Sequence, residues 1–157
     1  MLPPAPAEKA CGICDFLAVC GPNQERRARR KSREEIAGRL AAERGAVMVP
    51  PFEHRHIIAG QGTAGVEFVE QAAALGAELD ALLTPTSGGG LTAGLALAMA
   101  GTSPATAVYC VEPEGFDDYR RSLASGERER NPTASGSICD ALLTLAPGEL
   151  TFAINRR

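Results

Sequence analysis

No apolar run in this sequence approaches the roughly 18 to 20 uncharged residues that a membrane span requires, because glycine or proline interrupts every hydrophobic stretch. Positive charge is not in excess either. The net charge is -3 and the isoelectric point is near 5.4, so the chain exerts no general attraction on nucleic acid or on an anionic membrane surface. After "MLPPAPAEKACG" the only apolar patch, residues 16–20, is too short for the h-region of a secretory leader. The five cysteines, Cys11, Cys14, Cys20, Cys110 and Cys139, are odd in number and lack the spacing of a disulfide framework. These absences lead us to expect reduced thiols, a cytoplasmic location and a small-molecule partner.

What is present suffices for a core: 157 residues, 45% of them apolar, fit one domain of ordinary size. Two textures meet near residue 31. Residues 1–31 mix prolines, three cysteines and the basic run "RRARRK" without apolar periodicity, and are expected to be poorly ordered and unrelated to the domain that follows. From Ser32 the pattern changes. "SREE" reads as a capping box that opens a helix with Ile36, Leu40 and Ala41 on one face and Gly45 at its end. A short buried strand is expected at "AVMVP", a helix from about Thr63 to Gly76, a strand at residues 81–84, and a small-residue helix to Ala100. A third strand at residues 107–111 and a helical piece at 117–124 follow, and then a turn-rich tail. Strands alternating with helices call for an α/β fold, an open, mostly parallel sheet in three αβα layers. The chain reads as cut at both ends.

The chemistry concentrates in the segment "TPTSGGGLTAG". At Gly88, Gly89 and Gly90 no side chain stands between the backbone N–H groups and an anion, and a helix starting near Leu91 adds favourable potential. The alternative is a tight strand-to-helix turn that happens to be glycine-rich. No Gly-Lys-Ser/Thr follows, so the loop is not a Walker cradle, and Ser87 lacks the Gly-x-Ser-x-Gly setting of a nucleophile elbow. Upstream, Gly60, Gly62 and Gly65 match Gly-x-Gly-x-x-Gly with Asp80 beyond, a dinucleotide fingerprint. Its context argues against NAD: "PPFEHRH" precedes it where a strand should, and Asp80 comes before a strand instead of ending one.

Other clusters carry weaker signals. "CGIC" with Cys20 could begin a zinc site, but no second cysteine pair supplies four ligands. His54 and His56 would share one face of a strand, yet with no third ligand nearby they read as a solvated pair. In "VEPEGFDD", Glu112, Glu114, Asp117 and Asp118 crowd the end of the third strand, where they repel one another unless a divalent cation or a helix N-terminus offsets them. Both readings stand.

Taken together, "VPPFEHRHIIAGQGTAGVEFVEQ", "LLTPTSGGGLTAGLALA", "VYCVEPEGFDD" and "SICDAL" resemble the fold-type II pyridoxal-phosphate enzymes, in the threonine/serine dehydratase and serine racemase branch. The resemblance runs over residues 32–157 and implies a partial tryptophan-synthase-β-like domain. It implies pyridoxal phosphate as cofactor, with its phosphate on Ser87, Gly88, Gly89 and Gly90. It also implies a Mg²⁺ or Ca²⁺ site at Glu112, Phe116 (through its carbonyl) and Asp118, and an amino acid as the small-molecule partner. In that family a lysine in a Ser-x-Lys-x-Arg-Gly segment binds the cofactor covalently and removes the α-proton. Here the only lysines are Lys9 and Lys31, neither in such a setting, and the Ser-Gly-Asn-His loop is absent. No catalytic residue is therefore assigned. The expectation is a protein of dehydratase or racemase descent that is inactive as this isolated chain, the alternative being a non-catalytic phosphate-ligand- or partner-binding fragment. Apolar surface left bare by the missing segments should promote self-association.

Overall fold

A computed structural model of the chain describes residues 33–157, in two compact units that divide between Val49 and Pro50. The texture boundary expected at residue 31, the capping residue Ser32, the "CGIC" pair and the basic run lie outside the described residues.

In the first unit, α1 spans Arg33–Arg44, with Ile36, Leu40 and Ala41 half-buried. Gly45 ends it as expected. At φ 61° this residue lies in the left-handed region, which lets the Ala46 N–H turn back to the Ala41 carbonyl at 2.9 Å. The strand expected at "AVMVP" does not form: residues 46–50 carry no ladder, and Val47, Met48 and Val49 are exposed. A lone extended segment gains nothing from β conformation without a neighbour to take its N–H and C=O groups. None is present among the described residues.

The second unit runs in the order α2 (Arg55–Ala74), β1 (Ala81–Pro85), α3 (Gly90–Thr102), β2 (Ala107–Val111), α4 (Asp118–Ser125), a 3₁₀ turn at Asp140–Leu142, and α5 (Glu149–Asn155). Helix α2 starts well before the expected Thr63. His54 caps it, its Nδ1 accepting the His56 N–H at 3.2 Å, which gives the histidine pair a structural use. The Gly60, Gly62 and Gly65 motif therefore lies inside a helix. Glycine there costs about 1 kcal/mol relative to alanine, but tertiary packing reverses the preference. A Cβ on Gly94 of α3 would stand 2.5 Å from the Ile58 carbonyl oxygen and 2.6 Å from the Gly62 nitrogen, and one on Gly65 would stand 2.7 Å from the Ala98 Cβ. Gly62 and Gly65 belong to a helix-crossing surface while Gly60 has open space around it, and the dinucleotide reading is excluded by the motif's place in the fold.

Strands β1 and β2 pair in parallel, Ala81 against Ala107 through Pro85 against Val111, with α3 as the crossover. The parallel α/β arrangement expected from the alternation of elements is present. The sheet has two strands among the described residues, one fewer than expected. Its two faces differ. Thr84 is buried, with its Oγ1 3.4 Å from the Thr92 Oγ1 of α3, whereas Ala81, Leu83, Pro85, Ala107, Tyr109 and Val111 form an exposed face. Parallel strands are ordinarily covered on both sides. The core gathers Ile58, Ala93, Leu95, Met99, Phe116, Tyr119, Leu143 and Phe152. Helix α5, in a tail read as turns, closes the unit by packing against α3.

Candidate functional site

The loop from Ser87 to Gly89 links the C-terminal end of β1 to the N-terminus of α3, and Gly88, Gly89 and Gly90 are all buried. Gly89 sits at φ 88°, a left-handed conformation open to glycine. A Cβ on Gly88 would run into the Phe52 ring, one on Gly89 into the Tyr119 hydroxyl, and one on Gly90 would stand 2.7 Å from the Phe52 Cβ. Packing alone thus demands glycine at these positions.

The orientation of the peptides goes further than packing. The Gly88 carbonyl accepts from the Thr151 hydroxyl at 2.5 Å and from the Gly148 N–H at 3.2 Å. The Gly89 carbonyl accepts from the Ala93 N–H at 2.8 Å and from the Asn155 side-chain amide at 3.3 Å. In a trans peptide the following N–H points opposite to the carbonyl, so the Gly89 and Gly90 N–H groups are turned away from the groups that hold those carbonyls. Among the described residues, neither these nor the Ser87 and Gly88 N–H groups donate to a backbone carbonyl. Successive unused donors beside a helix N-terminus form an anion-binding surface. The residues present fit the phosphate of pyridoxal phosphate.

Ser87 faces the tail. Its hydroxyl donates to the Thr144 hydroxyl at 2.9 Å and accepts the Thr144 N–H at 3.3 Å. The Thr144 carbonyl in turn accepts from the Asn131 side-chain amide at 3.2 Å, and the same amide nitrogen donates to Asp118 Oδ1 at 2.6 Å. A hydrogen-bonded path therefore joins the glycine loop to the acidic segment. Asn131, in an "NPT" read from sequence as a breaker, is buried and holds three segments together.

Within the acidic segment the carboxylates have separate partners. Glu112 accepts the Tyr119 and Arg120 N–H groups at 2.8 and 2.9 Å, capping α4. Burial nonetheless raises its carboxyl above the usual range, and the charges of Asp118 and Asp117 add to the rise. Asp117 is held low by Arg120 first, then Arg121, both of which pair with it. Asp118 is raised, chiefly by burial, and its Oδ2 is buried without a hydrogen-bond partner. Phe116 is buried beside it, its N–H donating to the Pro113 carbonyl at 3.0 Å. Among the described residues no three His, Cys, Asp or Glu side chains converge as a metal cluster. The orphaned Asp118 oxygen is the feature that fits a cation.

The family described as "Pyridoxal-phosphate dependent enzyme" matches residues 18–157. The chain belongs to this family. The match also takes in residues 18–31, which the texture of the sequence set apart. L-threo-3-hydroxyaspartate ammonia-lyase of Saccharomyces cerevisiae is 42% identical over 126 residues, 80% of this chain and 37% of that protein. Serine racemase of Dictyostelium discoideum is 37% identical over 151 residues, 96% of this chain and 44% of that one. Among solved structures, a threonine deaminase from T.th. superposes with a TM-score of 0.75 at 44% identity, covering 82% of this chain and 45% of that one. The chain thus spans less than half the length of these relatives, and the fold-type II architecture expected from the sequence is the one its structural neighbours share. No helix among the described residues is long and apolar enough to cross a membrane.

Proposed function

We propose that this chain carries the phosphate-binding part of a pyridoxal-phosphate-dependent lyase or racemase acting on hydroxy amino acids, and that alone it binds the cofactor without turnover. The observation behind the reading is the row of N–H groups from Ser87 to Gly90 that donate to no backbone carbonyl, those of Gly89 and Gly90 being turned outward by carbonyl bonds to Thr151, Gly148 and Asn155. When bound, the cofactor supplies an electron sink that stabilises negative charge at the substrate α-carbon. The backbone N–H groups of Ser87, Gly88, Gly89 and Gly90 grip the phosphate, the α3 N-terminus adds favourable potential, and Phe52 closes one wall of the loop.

The proton of the α-carbon has no assigned acceptor on this chain. Both lysines, Lys9 and Lys31, fall outside the described residues and outside the family's lysine motif. That absence favours, as a second reading, a non-catalytic module for a phosphate-bearing ligand or a complementing chain. Glu112, the Phe116 carbonyl and Asp118 are proposed to hold Mg²⁺ or Ca²⁺, supported by the unpartnered Asp118 Oδ2. We further propose an amino acid as small-molecule partner, a cytoplasmic location and self-association through the bare sheet face.

The test is to add pyridoxal phosphate to the purified chain, record the visible absorption of lysine-bound cofactor, reduce with borohydride and map the label. Stoichiometric labelling of Lys9 or Lys31 would overturn the silent-chain reading. Reversible binding without a label supports it, and no binding removes the phosphate site itself.

A further inference from the structure

Helix α5 and Tyr119 of α4 meet the glycine loop from behind. The Asn155 side-chain amide donates to the Tyr119 hydroxyl oxygen at 2.9 Å. That hydroxyl donates to the Thr151 hydroxyl oxygen at 3.2 Å, and Thr151 donates to the Gly88 carbonyl at 2.5 Å. The Asn155 amide also donates to the Gly89 carbonyl at 3.3 Å. The donors run one way, from Asn155 through Tyr119 to Thr151, whose shorter bond is to the Gly88 carbonyl at 2.5 Å and longer one to the Gly148 carbonyl at 3.3 Å. The chain thus reaches the two carbonyls whose partner N–H groups face the proposed anion.

Burial leaves little room for water to compete. Tyr119 and Thr151 are fully buried, and Phe152 meets the Tyr119 ring edge-on at a centroid distance of 6.4 Å. Hydrogen bonds in a row polarise one another, by roughly 10–30% per bond. A peptide whose carbonyl accepts a strong bond presents a more positive N–H on its other side, so donation into the Gly88 and Gly89 carbonyls strengthens the Gly89 and Gly90 donors. The same bonds fix the left-handed turn at Gly89 against rotation of either peptide.

We propose that Tyr119, Thr151 and Asn155 form a relay of positioning residues that orients and polarises the Gly88–Gly89 and Gly89–Gly90 peptides toward a phosphate dianion. The inference rests on the phosphate reading of the loop. It assigns the relay no contact with the phosphate and no part in proton transfer.

The test uses the full 157-residue chain, with inorganic phosphate and pyridoxal phosphate as probes and unphosphorylated pyridoxal as control. Binding is read by calorimetry and by the ¹H–¹⁵N shifts of the Gly89 and Gly90 amides. We expect both phosphates, but not pyridoxal, to move those amides downfield. Tyr119→Phe and Thr151→Val should each weaken phosphate binding about twofold, the effect of removing roughly 10–30% of the strength of charge-assisted donors, and shrink the amide shifts. Thr151→Ser keeps the hydroxyl and should restore both. If Tyr119→Phe fails to fold, the Thr151→Val and Thr151→Ser pair decides. A wild-type chain that ignores phosphate overturns the loop reading and the relay with it. A wild-type chain that binds, with Thr151→Val binding equally and shifting the amides equally, overturns the relay and leaves the loop reading standing.

Discussion

The side-chain amide of Asn131 donates to one carboxylate oxygen of Asp118 at 2.6 Å and leaves the other oxygen buried and unpartnered. Asn131 also accepts from Arg121 at 2.8 Å and donates to the Thr144 carbonyl. Asn131→Leu would strip a buried carboxylate of its donor while retaining most of the volume. We expect a loss of about 2–3 kcal/mol, read as a lower urea midpoint with an unchanged slope. A change below about 0.5 kcal/mol would show that Asp118 is solvated in solution.

Cation binding should be visible as stability. Burial raises the Asp118 carboxyl, so the folded chain holds that proton more tightly than the unfolded one. The associated stability is complete at pH values below the unfolded carboxyl range and is lost as pH rises through the raised folded value. At neutral pH ionised Asp118 is a cost that a divalent ion would offset. Ca²⁺ or Mg²⁺ should therefore raise Tm at neutral pH and leave it unchanged near pH 4, and Asp118→Asn should abolish the response. A flat titration at neutral pH would remove the metal proposal.

Tyr119 gives the alkaline counterpart. Burial pushes its hydroxyl up to about 12, Thr151 and Asn155 oppose the rise, and the charges of Cys110 and Glu53 add to it. With the folded value above the unfolded one near 10, the folded state retains the proton longer. Stability from this group is complete below about pH 10 and declines between pH 10 and 12. Denaturant midpoints of the wild type should fall more steeply across that window than those of Tyr119→Phe. Parallel curves would refute the burial of the hydroxyl.

The helix crossing supplies a paired test on glycine. Gly94→Ala forces a methyl into the Ile58 carbonyl and the Gly62 nitrogen, and should cost about 1–3 kcal/mol. Gly101→Ala, in the same helix with nothing within 4 Å, should instead stabilise by about 0.5–1 kcal/mol. Chemical denaturation of both variants separates close approach from helix propensity.

The exposed sheet face bears on association. Leu83 is 70% and Tyr109 54% exposed, and the two are cross-strand partners. Sedimentation velocity should show concentration-dependent oligomers for the wild type and a shift toward monomer for Leu83→Lys. A wild type that stays monomeric at high concentration would show that this face does not self-associate.

Part of this structure is encoded in local sequence signals. Strand β2 falls at the residues expected for it, because "AVYCV" is a β-branched and apolar run bounded by turn residues. The helix ends at Gly45 and Gly76 were legible because a left-handed turn needs glycine whatever packs nearby. The strand–glycine–helix order at residues 81–102 placed the loop, and the resemblance to the family supplied the phosphate as its expected ligand. Local preference failed where the deciding partner is distant in sequence. Helix α2 carries Gly62 and Gly65 in its interior because α3 packs directly on them, and residues 46–50 stay unpaired for want of a neighbouring strand among the described residues. Helix α5, with Thr151 and Asn155 gripping the loop carbonyls, lies in a stretch too short and too rich in turn residues to announce itself. Sequence alone determined which residues could form an anion-binding loop, since that depends on glycine and on chain order. Only the tertiary structure decided which way its peptides face, because a peptide plane is oriented by hydrogen bonds from side chains that folding brings to it.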